Sequence, residues 1–119
     1  MATCVKQELS GGTDGRLIKL AATATPGTTI HTVGSVTGTD NYDEIWLWAV
    51  NTTTVSVKLT LEWGTTSAPD DNIELTLSPE NGLIAIVPGL VLQNALVVRA
   101  FAANANVVSI GGYVNQLRA

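Results

Sequence analysis

The sequence predicts an all-β protein, an antiparallel two-sheet β-sandwich of jelly-roll type with about eight strands. Three observations predict this fold class. Apolar and polar residues alternate without exception from Val55 to Trp63, which is the period of a half-buried strand. Comparable short segments follow one another along the chain, separated by turns rich in glycine, proline and asparagine, and no helical period stands out. The length of 119 residues suits a single hydrophobic core.

The first fifteen residues are expected to form a flexible amino-terminal arm, ahead of a single domain that spans residues 16–119. This segment ends in Ser10-Gly-Gly-Thr-Asp-Gly15, a glycine-rich run that is expected to pack poorly. Simple terminal disorder is the alternative interpretation. The lone cysteine, Cys4, excludes a disulfide within the chain, and an incidental thiol is favoured over an intermolecular bond. The first five residues lack the basic and apolar stretches of a secretion signal.

Strands are predicted where apolar or alternating segments lie between turn signals. Pro26-Gly27 stops the first of them, and Pro88-Gly89 stops a later one. The predicted strand segments are residues 16–25, 28–33, 44–50, 55–63, 72–77, 83–87, 91–103 and 107–114. The segment 91–103 also fits one face of a helix, but its valines and its phenylalanine favour a strand.

Two pairs of consecutive strands are predicted to form hairpins. Residues 44–50 are apolar on both faces, which predicts a strand in the middle of a sheet. The polar link Asn51–Thr54 joins this strand to the half-buried strand that follows it. The second hairpin is predicted at the turn Asn104–Asn106. Gly111 and Gly112 lie inside the last strand, where glycine indicates a bulge or a close approach of two backbones.

Charged residues are scarce in this chain. They make up 13% of the sequence and leave a net charge of −4, whereas about 25% is usual in soluble domains. A surface covered instead by threonine, serine and asparagine often packs against a neighbouring subunit. The six Lys and Arg residues are spread singly, so no nucleic-acid partner is expected. The apolar runs are too short to span a membrane, so no membrane partner is expected.

The residues that carry catalytic or metal chemistry are too few for an enzyme. His31 is the only histidine, which excludes a Ser-His-Asp triad or a multi-histidine metal site within one chain. An ordinary strand-face histidine is favoured over pairing with a carboxylate of a neighbouring chain. No glycine-rich nucleotide-binding motif occurs. We therefore predict no enzymatic activity, no catalytic residue, no cofactor and no residue that binds one.

Two groups of acidic residues lie at predicted loop–strand junctions. Their carboxylates are the kind of ligand that calcium prefers, but their spacing matches no calcium-binding loop. Capping residues or solvated turns are the favoured interpretation, and we predict no metal ligand. The residues are Asp40, Asp43, Glu44, Asp70, Asp71 and Glu74.

The three tryptophans lie in the two central strand segments. Trp46 and Trp48 share one face of their strand, and Trp63 lies on the apolar side of its own. Packing in the core is the favoured interpretation. A sugar-stacking platform and a subunit contact are the alternatives, because exposed tryptophans on a sheet stack on sugar rings.

Three segments are rich in Thr, Ala, Val and Gly and carry almost no charge: Arg16–His31 (RLIKLAATATPGTTIH), Tyr42–Thr54 (YDEIWLWAVNTTT) and Gly89–Arg118 (GLVLQNALVVRAFAANANVVSIGGYVNQLR). In this respect the chain resembles the small head decoration, or cement, proteins of tailed bacteriophages. The resemblance covers roughly the last hundred residues. Such families have no catalytic residues to carry over.

The resemblance implies a structural role on a virus particle. Copies of such proteins, often trimers, lie on the outside of the head and clamp adjoining major capsid proteins. A terminal arm commonly orders on the capsid, a role that residues 1–15 would fill. The expected location is therefore the capsid surface of the virion, after synthesis in the host cytoplasm. Another virion part, such as a tail, head-fibre or head–tail adaptor subunit, and a carbohydrate-binding β-sandwich module are the alternatives.

Overall fold

The computed structural model describes residues 3–119, and in this range the chain forms nine strands and no helix. The strands are β1 (Thr3–Glu8), β2 (Ile18–Lys19), β3 (Thr28–Thr32), β4 (Tyr42–Asn51), β5 (Val57–Trp63), β6 (Asn72–Leu77), β7 (Ile84–Leu92), β8 (Val97–Ala102) and β9 (Val108–Arg118). Residues 3–119 accordingly contain no helix of the length and apolarity needed to cross a membrane.

The strands form two antiparallel sheets. Sheet A has the order β1-β9-β4-β7, and β2 pairs with β9 further along. Sheet B has the order β3-β8-β5-β6. Because β1 pairs with residues 113–118 and β2 with residues 109–110, the two form one interrupted strand at the edge of sheet A. The predicted all-β fold of two antiparallel sheets is confirmed, and the jelly-roll connectivity stays a prediction.

The core lies between the two sheets and is built from every second residue of the central strands. Full burial of one such Leu, Ile or Val side chain contributes about 1.5–3 kcal/mol relative to exposure. The core includes Ile45, Leu47 and Ala49 of β4, Val57, Leu59 and Leu61 of β5, Val98, Ala100 and Ala102 of β8, and Val108, Ile110 and Val114 of β9. The predicted central position of the strand around residues 44–50 is confirmed, since β4 lies between β9 and β7.

Both predicted hairpins are wrong. The strands β4 and β5 lie in different sheets, and so do β8 and β9. The links Thr52–Ser56 and Ala103–Val107 therefore cross from one sheet to the other. Consecutive apolar strands in a sandwich bury their side chains against each other across the core instead of pairing edge to edge. The alternating pattern of apolar and polar residues is the same whether two strands form a hairpin or lie in different sheets, so it does not distinguish the two arrangements.

Several strand bounds also differ from the prediction. The predicted strand over residues 16–25 contains only the two residues of β2, and β7 continues through Pro88 and Gly89 to Leu92. Proline is tolerated there because β7 is an edge strand of sheet A, where no partner needs the missing N–H. The predicted strand over residues 72–77 coincides with β6.

The amino-terminal segment differs from the predicted flexible arm. Residues Thr3–Glu8 pair with β9 along their whole length, although all six are exposed. The segment then packs on the sandwich: Leu9 is buried, and the Gly11 N–H donates to the Ile30 carbonyl at 2.9 Å. The edge of β9 supplies main-chain partners that a hydropathy pattern does not reveal. Residues 1 and 2, which the prediction also covers, lie outside the described residues.

Candidate functional site

The outer face of sheet A carries a cluster of aromatic side chains, which we call the aromatic face: Trp46, Trp48 and Tyr113. The residues of β4 alternate strictly, so that Ile45 and Leu47 enter the core while the two tryptophans point away from it and are half-buried. The core interpretation is therefore wrong for both tryptophans. Because β4 is apolar on both faces, the sequence period alone does not tell which face is the inner one.

The three rings lie almost parallel. The ring centroids of Trp46 and Tyr113 are 6.2 Å apart, with 13° between the planes. Trp48 lies 6.5 Å from Trp46 and 6.0 Å from Tyr113, with angles of 22° and 28°. These distances and angles are those of offset stacking, which stabilises an aromatic pair beyond the area it buries. The rings therefore behave as one apolar surface.

Two glycines make room for Trp46. Gly89, on β7, has a φ of +86°, and a Cβ there would lie 2.9 Å from Cζ2 of the indole. Gly112, on β9, has a φ of +152°, and a Cβ there would overlap the carbonyl oxygen of Trp46. The close approach of two backbones predicted at Gly111–Gly112 is confirmed. Any larger residue at either position would displace the strand or the indole that lies against it.

Polar groups border the aromatic face. The Trp46 Nε1–H donates to Oε1 of Glu44 at 2.7 Å, and the Asn115 amide donates to the same oxygen at 3.0 Å. These two hydrogen bonds lower the pKa of Glu44 below its ordinary value of 4.5, and the bond from Trp46 has the larger effect. On the other side, Nζ of Lys6 lies 4.3 Å from the centre of the Tyr113 ring. The rings are thus flanked by a carboxylate, an amide and an ammonium group.

Trp63 occupies a different place. It lies at the end of β5 in sheet B, is half-buried, and packs against the core cluster. The structure therefore does not bring it to the aromatic face. Glu62, predicted on the polar side of the same strand, is 1% exposed. Its carboxylate accepts hydrogen bonds from the Thr25 hydroxyl at 2.5 Å and the Gly27 N–H at 2.6 Å.

A second group of polar residues is centred on a buried pair, His31 and Asp43, between the sheets, and its other two members, Ser10 and Arg118, reach solvent. His31 on β3 donates from Nε2 to Oδ2 of Asp43 on β4 at 2.8 Å, and Arg118 on β9 donates to Oδ1 of the same carboxylate at 2.9 Å. The Ser10 N–H donates to Nδ1 of His31 at 3.1 Å, which leaves the proton of the neutral ring on Nε2. We call these four residues the buried polar cluster.

The buried polar cluster holds parts of the fold together and has no room for a substrate. His31 is 2% exposed and Asp43 is fully buried, so neither side chain reaches solvent. Both oxygens of Asp43 are occupied by partners of the same chain. The expected strand-face histidine is instead a buried residue with a carboxylate partner. No sequence signal reveals this pair, because a separation of 12 residues between different sheets follows no local period.

The two acidic groups do not converge. Asp43 faces the core and Glu44 the opposite side of β4. Glu74 pairs with Lys58 at 3.1 Å in an exposed ion pair, and Asp71 accepts a hydrogen bond from the Thr65 hydroxyl at 3.3 Å. In the part of the chain that the structure describes, no three His, Cys, Asp or Glu side chains come together as a metal site would require.

The outer side of sheet B has a shallow hollow of about 280 Å³. Thr60, Phe101 and Asn72 are among its lining residues. Oδ1 of Asn72 is buried and has no hydrogen-bond partner within residues 3–119. The hollow lacks the convergent ionisable groups that a catalytic site needs, since Lys58 and Glu74 at its edge neutralise each other.

Comparison of the chain with protein-family models, with curated proteins and with solved structures found no match in any of the three. The aromatic face and the buried polar cluster are therefore assessed by their geometry alone. Of the two, only the aromatic face presents apolar surface to solvent.

Proposed function

We propose that the protein is a structural virion component, a decoration or cement protein that binds the outside of a tailed-phage head and stabilises contacts between major capsid proteins. The resemblance in the sequence supports this proposal, and so does a surface poor in charge. Its main structural support is a set of exposed apolar side chains near the end of the edge strand β7 and in the link that follows it, which we call the β7 rim: Leu90, Val91 and Leu96. They are 46%, 49% and 37% exposed.

The β7 rim has the properties of a weak docking surface. Leu90 and Val91 lie on the edge strand of sheet A, and Leu96 follows in the link to β8. Covering the exposed half of each side chain would contribute about 1 kcal/mol, so one copy would bind only weakly through this rim. A shell repeats the contact many times, and symmetric, multivalent attachment converts weak contacts into a stable coat.

We also infer a jelly-roll connectivity, which supports the same role. With β1 and β2 counted as one interrupted strand, each sheet has four strands. Every link after β2 crosses between the sheets except the one between β5 and β6. Viral capsid proteins commonly use jelly rolls, and so do lectins.

The proposed partners are the major capsid protein and further copies of this chain, in a trimer. The amino-terminal segment supports an assembly role as a paired strand, β1, and not as a free arm. All six residues of β1 are exposed on the edge of sheet A, so the side chains of this strand are available to a neighbour. The proposal includes no catalytic step, because the ionisable groups of the buried polar cluster already have partners.

Binding to empty heads tests the proposal. Purified protein would be mixed with empty heads of the matching phage, and the bound fraction measured by sedimentation. Val91→Glu is expected to weaken binding at least tenfold, because it places a charge in the contact. Val55→Glu is the matched control, since Val55 is 53% exposed in the β4–β5 link, away from the β7 rim. Absence of binding by the unmodified protein contradicts the proposal.

The location of the protein in the particle distinguishes a head decoration protein from a component of another virion part. A tail, head-fibre or adaptor subunit would share the fold and the composition. Labelled antibody on intact particles, viewed by electron microscopy, is expected to mark the whole head surface. Label confined to the tail or to one vertex would assign the protein to that part instead.

A further inference from the structure

The aromatic face is apolar surface that residues 3–119 cover only in part, since the rings are half-buried and Lys6 lies over Tyr113. Two tryptophans and a tyrosine stand on the outer side of sheet A, half-buried by each other and by the strands beneath them. Leu17, which is 51% exposed, extends the surface where its side chain lies over Gly111. Apolar patches with a polar border are typical of binding sites.

The groups at its border are those that recognise hydroxyl groups. Glu44 accepts two hydrogen bonds through Oε1, and within the described chain its Oε2 has no partner. The amide of Asn115 likewise uses its nitrogen toward Glu44 and keeps its oxygen free within residues 3–119. Two acceptors therefore lie beside an aromatic surface. A pyranose ring presents C–H groups on its face and hydroxyl donors at its edge, which matches this arrangement.

We propose that the aromatic face binds the pyranose rings of a neutral carbohydrate, with the sugar against Trp46 and Trp48, with Tyr113 and its covering Lys6 at the side, and with the sugar hydroxyls on Glu44 and Asn115. This inference goes beyond the proposed capsid role and does not depend on it. The polar contacts orient the sugar, while the rings supply most of the contact area.

The charges of the face fit a neutral sugar. Glu8 lies opposite Tyr113 in the strand register and so shares the outer face with Glu44. The ammonium group of Lys6 is placed over the Tyr113 ring. Lys19 lies opposite Ser109 on the same outer face, so two ammonium groups balance two carboxylates and the face offers no net attraction to uronic acids or sulfated sugars. A neutral hexose chain needs no such attraction.

The size of the face argues against a second copy of the chain as its occupant. Because each ring is half-buried, the three together expose on the order of 200 Å². A stable protein–protein interface needs about 800 Å² from each partner. The face is thus large enough for one or two sugar rings and too small to hold two copies together by itself.

Titration of the full chain with neutral oligosaccharides tests the inference. The probes are cellohexaose, laminarihexaose, mannohexaose and galactohexaose, and the readout is the set of indole N–H resonances in a proton–nitrogen NMR spectrum. At least one probe is expected to shift the Trp46 and Trp48 signals and to leave Trp63, which lies in sheet B, unchanged. Absence of a shift with all four probes, or a shift confined to Trp63, overturns the proposal.

Variants then locate the site. Trp48→Ala is expected to weaken binding of the active probe about threefold to tenfold, the range of one stacking contact. Trp48→Phe keeps a ring and should retain most of the affinity. Trp63→Phe is the matched control on the other sheet and should bind as the unmodified chain does. Equal losses in the Trp48→Ala and Trp63→Phe variants would overturn the assignment.

The mass of the protein in solution tests the alternative occupant of the aromatic face, a second copy of the chain. If the aromatic face were an interface between copies, Trp48→Ala would lower the mass measured by sedimentation and leave sugar binding unchanged, which would overturn the proposal. Val91 lies opposite Glu44 in the strand register, so Leu96→Glu, in the link to β8, is the rim variant that should weaken head binding and leave the sugar titration unaltered. Failure of the head-binding assay therefore leaves the sugar result to be judged separately.

Discussion

Replacement of Asp43 by alanine should cost a large part of the folding stability, because this residue is the centre of the buried polar cluster. Asp43 is fully buried and accepts hydrogen bonds from His31 at 2.8 Å and from Arg118 at 2.9 Å. Loss of a hydrogen bond to a charged group costs about 1.5–3 kcal/mol, and a buried donor left without an acceptor costs about 1–3 kcal/mol more. His31 would keep an unpaired N–H inside the sandwich, whereas the Arg118 side chain, which is 29% exposed, can turn toward water.

The Lys58–Glu74 ion pair provides the matched control. Its N–O distance is 3.1 Å, close to the distances around Asp43, but the two side chains are 56% and 50% exposed. An exposed pair contributes about 0–1 kcal/mol, because water and salt already screen it. Glu74→Ala should therefore lower the free energy of unfolding by no more than about 1 kcal/mol.

Urea unfolding at pH 7, followed by tryptophan fluorescence and circular dichroism, measures both variants. The free energy of unfolding in water is obtained by linear extrapolation and compared with that of the unmodified chain. A fully unfolded Asp43→Ala variant would agree with the expected loss, and Asp43→Asn, which keeps the shape of the side chain, then gives a measurable intermediate. Equal losses for Asp43→Ala and Glu74→Ala would refute the argument that burial decides the strength of these pairs.

Three further changes test other parts of the structure. Gly89→Ala should lower the free energy of unfolding by about 1–2 kcal/mol from its positive φ alone. It should also change tryptophan fluorescence, because the new methyl group displaces the Trp46 indole. Gly82→Ala is the control: its φ is +66° and it has open space around it, so it should cost the same stability and leave fluorescence unchanged. The lowered pKa of Glu44 stabilises the fold above the ordinary value of 4.5, and this gain is lost as the pH falls through the lowered value. Glu44→Gln should therefore flatten the dependence of the melting temperature on pH below the ordinary value of 4.5; an unchanged slope contradicts this. Glu62→Ala removes a buried carboxylate that holds a neighbouring turn and should lower the free energy of unfolding by about 1.5–3 kcal/mol, so a variant as stable as the unmodified chain would show that the turn holds by itself.

The strands themselves could be predicted because their signal is local. The alternation from Val57 to Trp63 and the segment Asn72–Leu77 both coincide with strands of the structure. The doubly apolar segment around Trp46 and Trp48 correctly predicts a central strand. Each of these patterns depends only on neighbours within a few residues.

The features that the sequence did not reveal all depend on distant residues. The choice between a hairpin and a crossing after Asn51 depends on β9, which lies more than fifty residues further on. The burial of Glu62 depends on donors from Thr25 and Gly27. The partner of β1 is at the other end of the chain, where Thr3 lies opposite Arg118. The apolar–polar period of a single strand gives no information on contacts between residues so far apart in the sequence.

The pairing of β1 with β9 also brings the first and the last strand of residues 3–119 side by side. Thr3 and Arg118 are register partners on neighbouring strands, and such strands are about 5 Å apart. A short peptide linker would therefore join these two residues without strain, and the chain could be reopened in the loop of residues 65–71, all of which are exposed. The circularly permuted molecule would keep both sheets while presenting its new ends at the β5–β6 turn, which offers a second point of attachment for a fused cargo.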